Sequence, residues 1–113
     1  MHELGLCDAL LRMVDETAKE EELEKVLSVT IEIGTLSGVV PKYMEDSWEA
    51  VVDGTPYRET KLRIEAVEGT ALCLDCGLEF TPDLNKLSCP NCRGNKLKPL
   101  TGRELTLKEI EAL

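Results

Sequence analysis

At 113 residues the chain has the size of one domain, or of one domain with a small metal-held lobe, and it carries a net charge of −9. That acidity excludes nucleic acid as a general partner, because such a surface repels phosphates. No apolar run approaches a membrane span, and the polar start Met1-His2-Glu3 does not read as a signal peptide, so no membrane partner and a cytoplasmic location are expected.

The charge is unevenly placed. Residues 1 to 70 hold 16 acidic and 7 basic residues, whereas residues 71 to 113 hold six of each. Between Lys86 and Arg103 lie five basic residues, Lys86, Arg93, Lys96, Lys98 and Arg103, and no acidic one. This stretch reads either as a solvated cap that offsets a negatively charged metal site or as a docking patch.

In chain order, Leu4, Cys7, Leu11, Val14 and Ala18 recur at intervals of three and four, with Leu6, Leu10 and Met13 widening the stripe. This predicts an amphipathic helix over about residues 3 to 19. Cys7 falls on the apolar stripe and reads as core. Val29, Ile31 and Ile33 then alternate with Ser28, Thr30 and Glu32, a half-buried strand ending at Gly34. Gly34 to Pro41 reads as a loop, with Pro41 in the first turn of a second helix whose apolar face is Met44, Trp48, Val51 and Val52. Gly54-Thr55-Pro56 stops that helix. A second strand is expected at about 61 to 67, with Leu62, Ile64 and Ala66 alternating, and a third near 103 to 108, with Leu105 and Leu107. The order predicts an α+β fold: a small three-stranded sheet with two helices on one face, and a zinc-ribbon-like lobe inserted between the second and third strands. Residues 1–70 and 100–113 would form the main domain, and residues 71–99 the lobe.

The lobe holds two identical pairs, Cys73-Leu74-Asp75-Cys76 and Cys89-Pro90-Asn91-Cys92. Each CxxC turn delivers two thiolates to one point, and two such turns complete a tetrahedral, structural Zn(II) site. A redox CxxC and a disulfide pair are the competing readings, and a reducing compartment weakens the latter. Gly77 and Gly94 follow the two pairs where a knuckle needs positive φ and backbone N–H groups turned toward sulfur.

The chain has one histidine, His2. The zinc site therefore uses cysteines alone, and any second site using imidazole must be built at the amino terminus. The Met1 α-amine, the His2 backbone nitrogen and the His2 imidazole form two fused chelate rings, with the Glu3 carboxylate close by. Such a nitrogen set suits Ni(II) and Cu(II). On sequence chemistry alone, however, a histidine at position 2 reads first as an exposed terminal residue without a role, with nickel the minority reading.

Met1-His2-Glu3-Leu4 opening into a helix, with the late CxxC pair, resembles the HypA/HybF family of hydrogenase nickel-incorporation proteins. The resemblance runs through Leu36-Ser37-Gly38-Val39, Gly54-Thr55, Cys73-x-x-Cys76-Gly77 with Phe80, and Gly102-x-Glu104-Leu105. It implies a nickel metallochaperone that works with the GTPase HypB to deliver Ni(II), as transferable cargo, to the large subunit of nickel-iron hydrogenase, and in some organisms to urease through its accessory proteins. It assigns nickel to Met1, His2 and Glu3, and zinc to Cys73, Cys76, Cys89 and Cys92.

The alternative function is a zinc-ribbon adaptor that binds protein or nucleic acid through residues 86–103. No enzyme is expected: the sequence has no second histidine to act as a base and no Gly-Lys-Thr phosphate loop. Monomer and homodimer are both compatible with the sequence.

Overall fold

A computed structural model describes residues 2–113. The Met1 amine, named above as a nickel donor, lies outside the described residues. The described chain forms α1 (His2–Glu20), β1 (Val26–Gly34), α2 (Pro41–Val52), β2 (Lys61–Val67), β3 (Ala71–Cys73), β4 (Glu79–Phe80), β5 (Leu97–Pro99) and β6 (Leu105–Ala112). The strands make two three-stranded sheets, in the orders β2-β1-β6 and β4-β3-β5. No described helix is long and apolar enough to cross a membrane.

The chain divides into two compact units. Unit 1 comprises residues 1–32, 39–65 and 106–113; unit 2 comprises residues 33–38 and 66–105. The cysteine-bearing unit thus extends past the range 71–99 on both sides and takes in a short upstream segment.

In unit 1, α1 packs on α2. The buried line of α1 runs through Glu3, Cys7, Leu10, Val14 and Ala18. This corrects the stripe drawn from apolar residues alone: Leu4 is 43% and Met13 50% exposed, while Glu3 is only 6% exposed. A carboxylate is tolerated there because its Oε2 accepts the Val40 N–H at 3.3 Å. Cys7 Sγ lies 3.3 Å from the Met44 carbonyl oxygen, on the facing helix. Burial, with the Glu3 charge second, pushes its thiol up to about 11, so Cys7 is a small core residue rather than a nucleophile. Trp48 is buried, and its indole Nε1–H donates to the Thr60 carbonyl at 3.0 Å.

β1 is the central strand and is buried on both sides, where the alternation had suggested a half-buried strand. Val29 and Ile31 are fully buried, and on the other face Ser28 and Thr30 are only 4% and 7% exposed. Small polar side chains fit this second face because long ones from the outer strands meet above it. Lys108 Nζ of β6 reaches Glu65 Oε1 of β2 at 2.7 Å, across the central strand. Ser28 Oγ donates to Glu111 Oε1 at 3.4 Å.

β6 runs to Ala112, four residues beyond the expected end near 108. Leu105 and Leu107 are half-buried, as are Ile110 and Ala112, with two exposed residues, Lys108 and Glu109, between the pairs. The alternation slips phase by one at that point, as at a β-bulge, and a search for period two stops there.

Unit 2 is built on β3, which pairs antiparallel with β4 (Ala71 opposite Phe80) and with β5 (Cys73 opposite Leu97). Three glycines of this unit, Gly34, Gly69 and Gly102, meet backbone to backbone. A Cβ on Gly34 would overlap the Gly102 backbone, and a Cβ on Gly69 would lie 2.6 Å from the Thr101 carbonyl oxygen. Gly102 also has φ +76°. The Gly34 N–H donates to the Glu104 carbonyl at 2.9 Å and the Leu36 N–H to the Gly102 carbonyl at 2.8 Å. The segment read as a loop before α2 is therefore anchored at its start.

Candidate metal centre

Two knuckles carry the four cysteines. In the first, the Gly77 N–H closes on the Cys73 carbonyl at 2.8 Å; in the second, the Arg93 N–H closes on the Cys89 carbonyl at 2.8 Å. All four Sγ atoms lie within 4.8 Å of one another. Cys73 and Cys92 sulfurs are 3.5 Å apart, and those of Cys76 and Cys89 are 3.6 Å apart. A zinc–sulfur bond of ~2.3 Å corresponds to tetrahedral edges of about 3.8 Å, close to the two shorter separations, so the four thiols are gathered at a spacing that Zn(II) can bridge. Cys73 and Cys89 are buried, Cys76 and Cys92 exposed.

Donors to sulfur complete the fit. The Asn91 N–H points at Cys89 Sγ and the Gly94 N–H at Cys92 Sγ, both at 3.4 Å. The Asn91 side-chain amide donates to Cys76 Sγ at 3.6 Å. Such bonds spread thiolate charge and orient the ligands. The sequence reading overlooked Asn91; a side-chain donor inside the Cys-Pro-Asn-Cys knuckle was the available signal.

The two knuckles differ at the turn residue. Gly77 has φ +81°, as expected, but in the second knuckle the left-handed position belongs to Arg93, at φ +63°. A non-glycine residue there costs about 1–2 kcal/mol. Gly94 serves a different need, namely room: a Cβ on it would lie 2.5 Å from Asp75 Oδ2 and 3.2 Å from Cys92 Sγ.

Four thiols this close cannot all ionise without a cation. The Leu78 N–H, followed by the Asn91 amide, holds Cys76 down at about 6. The Gly94 N–H favours the Cys92 thiolate, yet the neighbouring Cys73 sulfur and burial outweigh it and push Cys92 up to about 12. A divalent cation removes this conflict, and the donor set of four sulfurs selects a soft or borderline ion such as Zn(II).

At the other end of the chain, His2 is exposed and opens α1. His2, Glu3, Leu4, Tyr43, Asp46 and Ser47 line an open cleft of about 620 Å³. The Glu3 carboxyl is held below its usual range, first by a backbone N–H of its own residue and then by the Val40 N–H. Val40 is the N-cap of α2 and has no side-chain cap of its own. One buried carboxylate therefore sits at the start of both helices, where the unpaired N–H groups carry partial positive charge.

The fold and this site define a small α+β protein with a closed four-cysteine zinc lobe and a single exposed histidine at the head of its first helix. Residues 1–112 match the family profile described as hydrogenase/urease nickel incorporation, metallochaperone, hypA. The chain belongs to the HypA family of nickel metallochaperones that act in hydrogenase maturation. It is 33% identical over 111 residues to hydrogenase maturation factor HypA of Rhodopseudomonas palustris (strain TIE-1), covering 98% of each chain. The HypA of Dechloromonas aromatica (strain RCB) is 37% identical over 113 residues, again covering 98% of each. The solution structure of the Ni metallochaperone HypA from Helicobacter pylori has the same fold, with a TM-score of 0.68 at 24% identity, covering 100% of this chain and 98% of that one. The family is one of maturation factors with nickel as cargo, and the four-cysteine site fits structural zinc.

Proposed function

We propose that the chain carries Ni(II) at its amino terminus, on the Met1 amine, the His2 backbone nitrogen and the His2 imidazole, with the Glu3 carboxylate beside them, and passes it to the large subunit of nickel-iron hydrogenase. Residues 1–70 and 100–113 are the nickel-binding domain in this reading, and residues 71–99 the zinc lobe. The GTPase HypB supplies nucleotide hydrolysis, urease is a second client where it is present, and the cytoplasm is where the exchange takes place.

The observation that supports this reading is the setting of His2. The lone imidazole of the chain is exposed at the first turn of α1, one residue from a buried carboxylate fixed by the Val40 N–H. The positive end of α1 disfavours a bound cation, and Glu3 offsets that field. The remaining mismatch, together with the open cleft, suits cargo that must be released.

Nickel titration of three zinc-loaded proteins tests the site: the native amino terminus, His2→Ala, and a version with one glycine placed before Met1. The extension moves the amine while leaving every side chain intact. Both altered proteins are expected to lose nickel affinity at least tenfold, or about 1.4 kcal/mol. Equal binding by all three would refute the site. Nickel binding by the native protein is also expected to weaken as pH falls, because amine and imidazole must both shed protons to coordinate, and a flat pH profile would count against those donors.

A further inference from the structure

Beside the second knuckle, Phe80, Lys86, Ser88, Pro90 and Arg93 line a cleft of about 670 Å³ in unit 2. We propose that this cleft is a docking site for a short acidic peptide segment of a protein partner, with Arg93 and Lys86 receiving its carboxylates and Phe80 and Pro90 an apolar side chain between them. The proposal concerns a different part of the chain from the amino-terminal nickel site and stands independently of it.

Three observations lead there. The first is charge: Lys86 and Arg93 line the cleft, and both belong to the stretch from Lys86 to Arg103 that holds five basic residues and no acidic one in a chain of net charge −9. Asp83, the carboxylate on the cleft wall, accepts the Asn85 N–H at 2.9 Å and so is engaged in its own turn. The second is conformation. Arg93 occupies the left-handed position that glycine fills in the first knuckle. Backbone strain of this kind persists where the side chain is needed, and here the side chain is a guanidinium on the cleft wall, suited to bidentate binding of carboxylate. The third is apolar surface. Leu84 and Leu87, on the turn that carries Lys86, are 54% and 57% exposed. Exposed leucines beside a basic cleft fit a peptide with both acidic and apolar side chains better than a phosphate backbone. A second copy of the chain, or an extended polyanion, would bring a large negative charge against an acidic body, whereas a short segment brings only its own.

Fluorescence anisotropy on the zinc-loaded full chain tests this, using a labelled peptide of about a dozen residues that alternates Glu or Asp with Leu. Its Gln/Asn counterpart and a single-stranded oligonucleotide serve as comparisons. Arg93→Gly is the informative variant, because it removes the guanidinium while relieving the backbone. It is expected to bind the acidic peptide at least tenfold more weakly and yet to hold zinc more tenaciously and melt at a higher temperature. Lys86→Ala should weaken peptide binding without the gain in stability, and salt should weaken binding by the native protein. Unchanged peptide binding by Arg93→Gly, equal binding of the Gln/Asn peptide, or preference for the oligonucleotide would each overturn the proposal. So would self-association of the native chain that Arg93→Gly abolishes.

Discussion

Removing zinc is expected to unfold unit 2 while leaving the emission of Trp48 unchanged. The buried apolar residues of unit 2 are Ile33, Ala71, Cys73 and Cys89, and two of these four belong to the four-cysteine cluster that could hold the metal. Five of its leucines face solvent, Leu74, Leu78, Leu84, Leu87 and Leu100 being between 37% and 60% exposed, and its other leucines are only half-buried. With strands of two and three residues and almost no apolar core, the lobe depends on the metal for its fold. Structural zinc in comparably small lobes contributes an apparent ~10–16 kcal/mol near neutral pH, far more than the burial of the remaining pair, Ile33 and Ala71. Unit 1 has its own core in Leu10, Val14, Val29, Ile31, Met44 and Trp48. Amide spectra should show residues 71 to 99 collapsing to random-coil positions after a strong chelator is added. The single Trp48, in unit 1, should report an intact environment. A red shift of Trp48 emission in step with zinc loss would show instead that the metal holds the whole chain together.

Gly102→Ala should be the most damaging substitution outside the cysteines. Gly102 has φ +76°, and a Cβ there would collide with the Gly69 backbone. The left-handed backbone alone costs about 1–2 kcal/mol with a side chain present. Forcing two main chains apart adds about 1–3 kcal/mol, since neither can swing aside as a side-chain tip would. The hydrogen bond from the Leu36 N–H to the Gly102 carbonyl should weaken as well. Gly38→Ala is the control: Gly38 has a similar φ of +79° but nothing within 4 Å of a built Cβ, so it should show the backbone cost without the collision. Thermal melts of both variants decide the matter. Equal losses would mean that the close approach at Gly102 carries no energy of its own.

Much of the fold is legible in the sequence where a regular period runs unbroken. α1 and α2 follow their apolar spacing, and the alternation through Val29, Ile31 and Ile33 locates β1. The cysteine spacing is a purely covalent signal, and the geometry of the knuckles follows from it. The failures have physical causes. Glu3 is buried in place of Leu4 because a hydrogen bond to a residue 37 positions away makes a carboxylate acceptable there, and no local pattern carries that information. Burial of Ser28 and Thr30 comes from side chains on neighbouring strands. β6 was cut short where its alternation slips. β3, β4 and β5 are too short to show any period. The left-handed position falls at Arg93, one residue before the expected Gly94, because the N–H that closes each knuckle belongs to the residue directly after its second cysteine.

The meeting of Gly34, Gly69 and Gly102 also bears on how such a protein can be cut and recombined. Residues 33–38 belong with residues 66–105, although 27 residues of the other unit intervene. The zinc lobe is therefore not a cassette. Joining residue 65 directly to 106 would remove the carbonyls of Val67, Gly102 and Glu104 that accept the N–H groups of Thr35, Leu36 and Gly34. The shortened protein would keep its helices but carry an unpaired strand end, open to pairing with other chains. A graft of the lobe onto another protein would likewise need both pieces, residues 33–38 as well as residues 66–105.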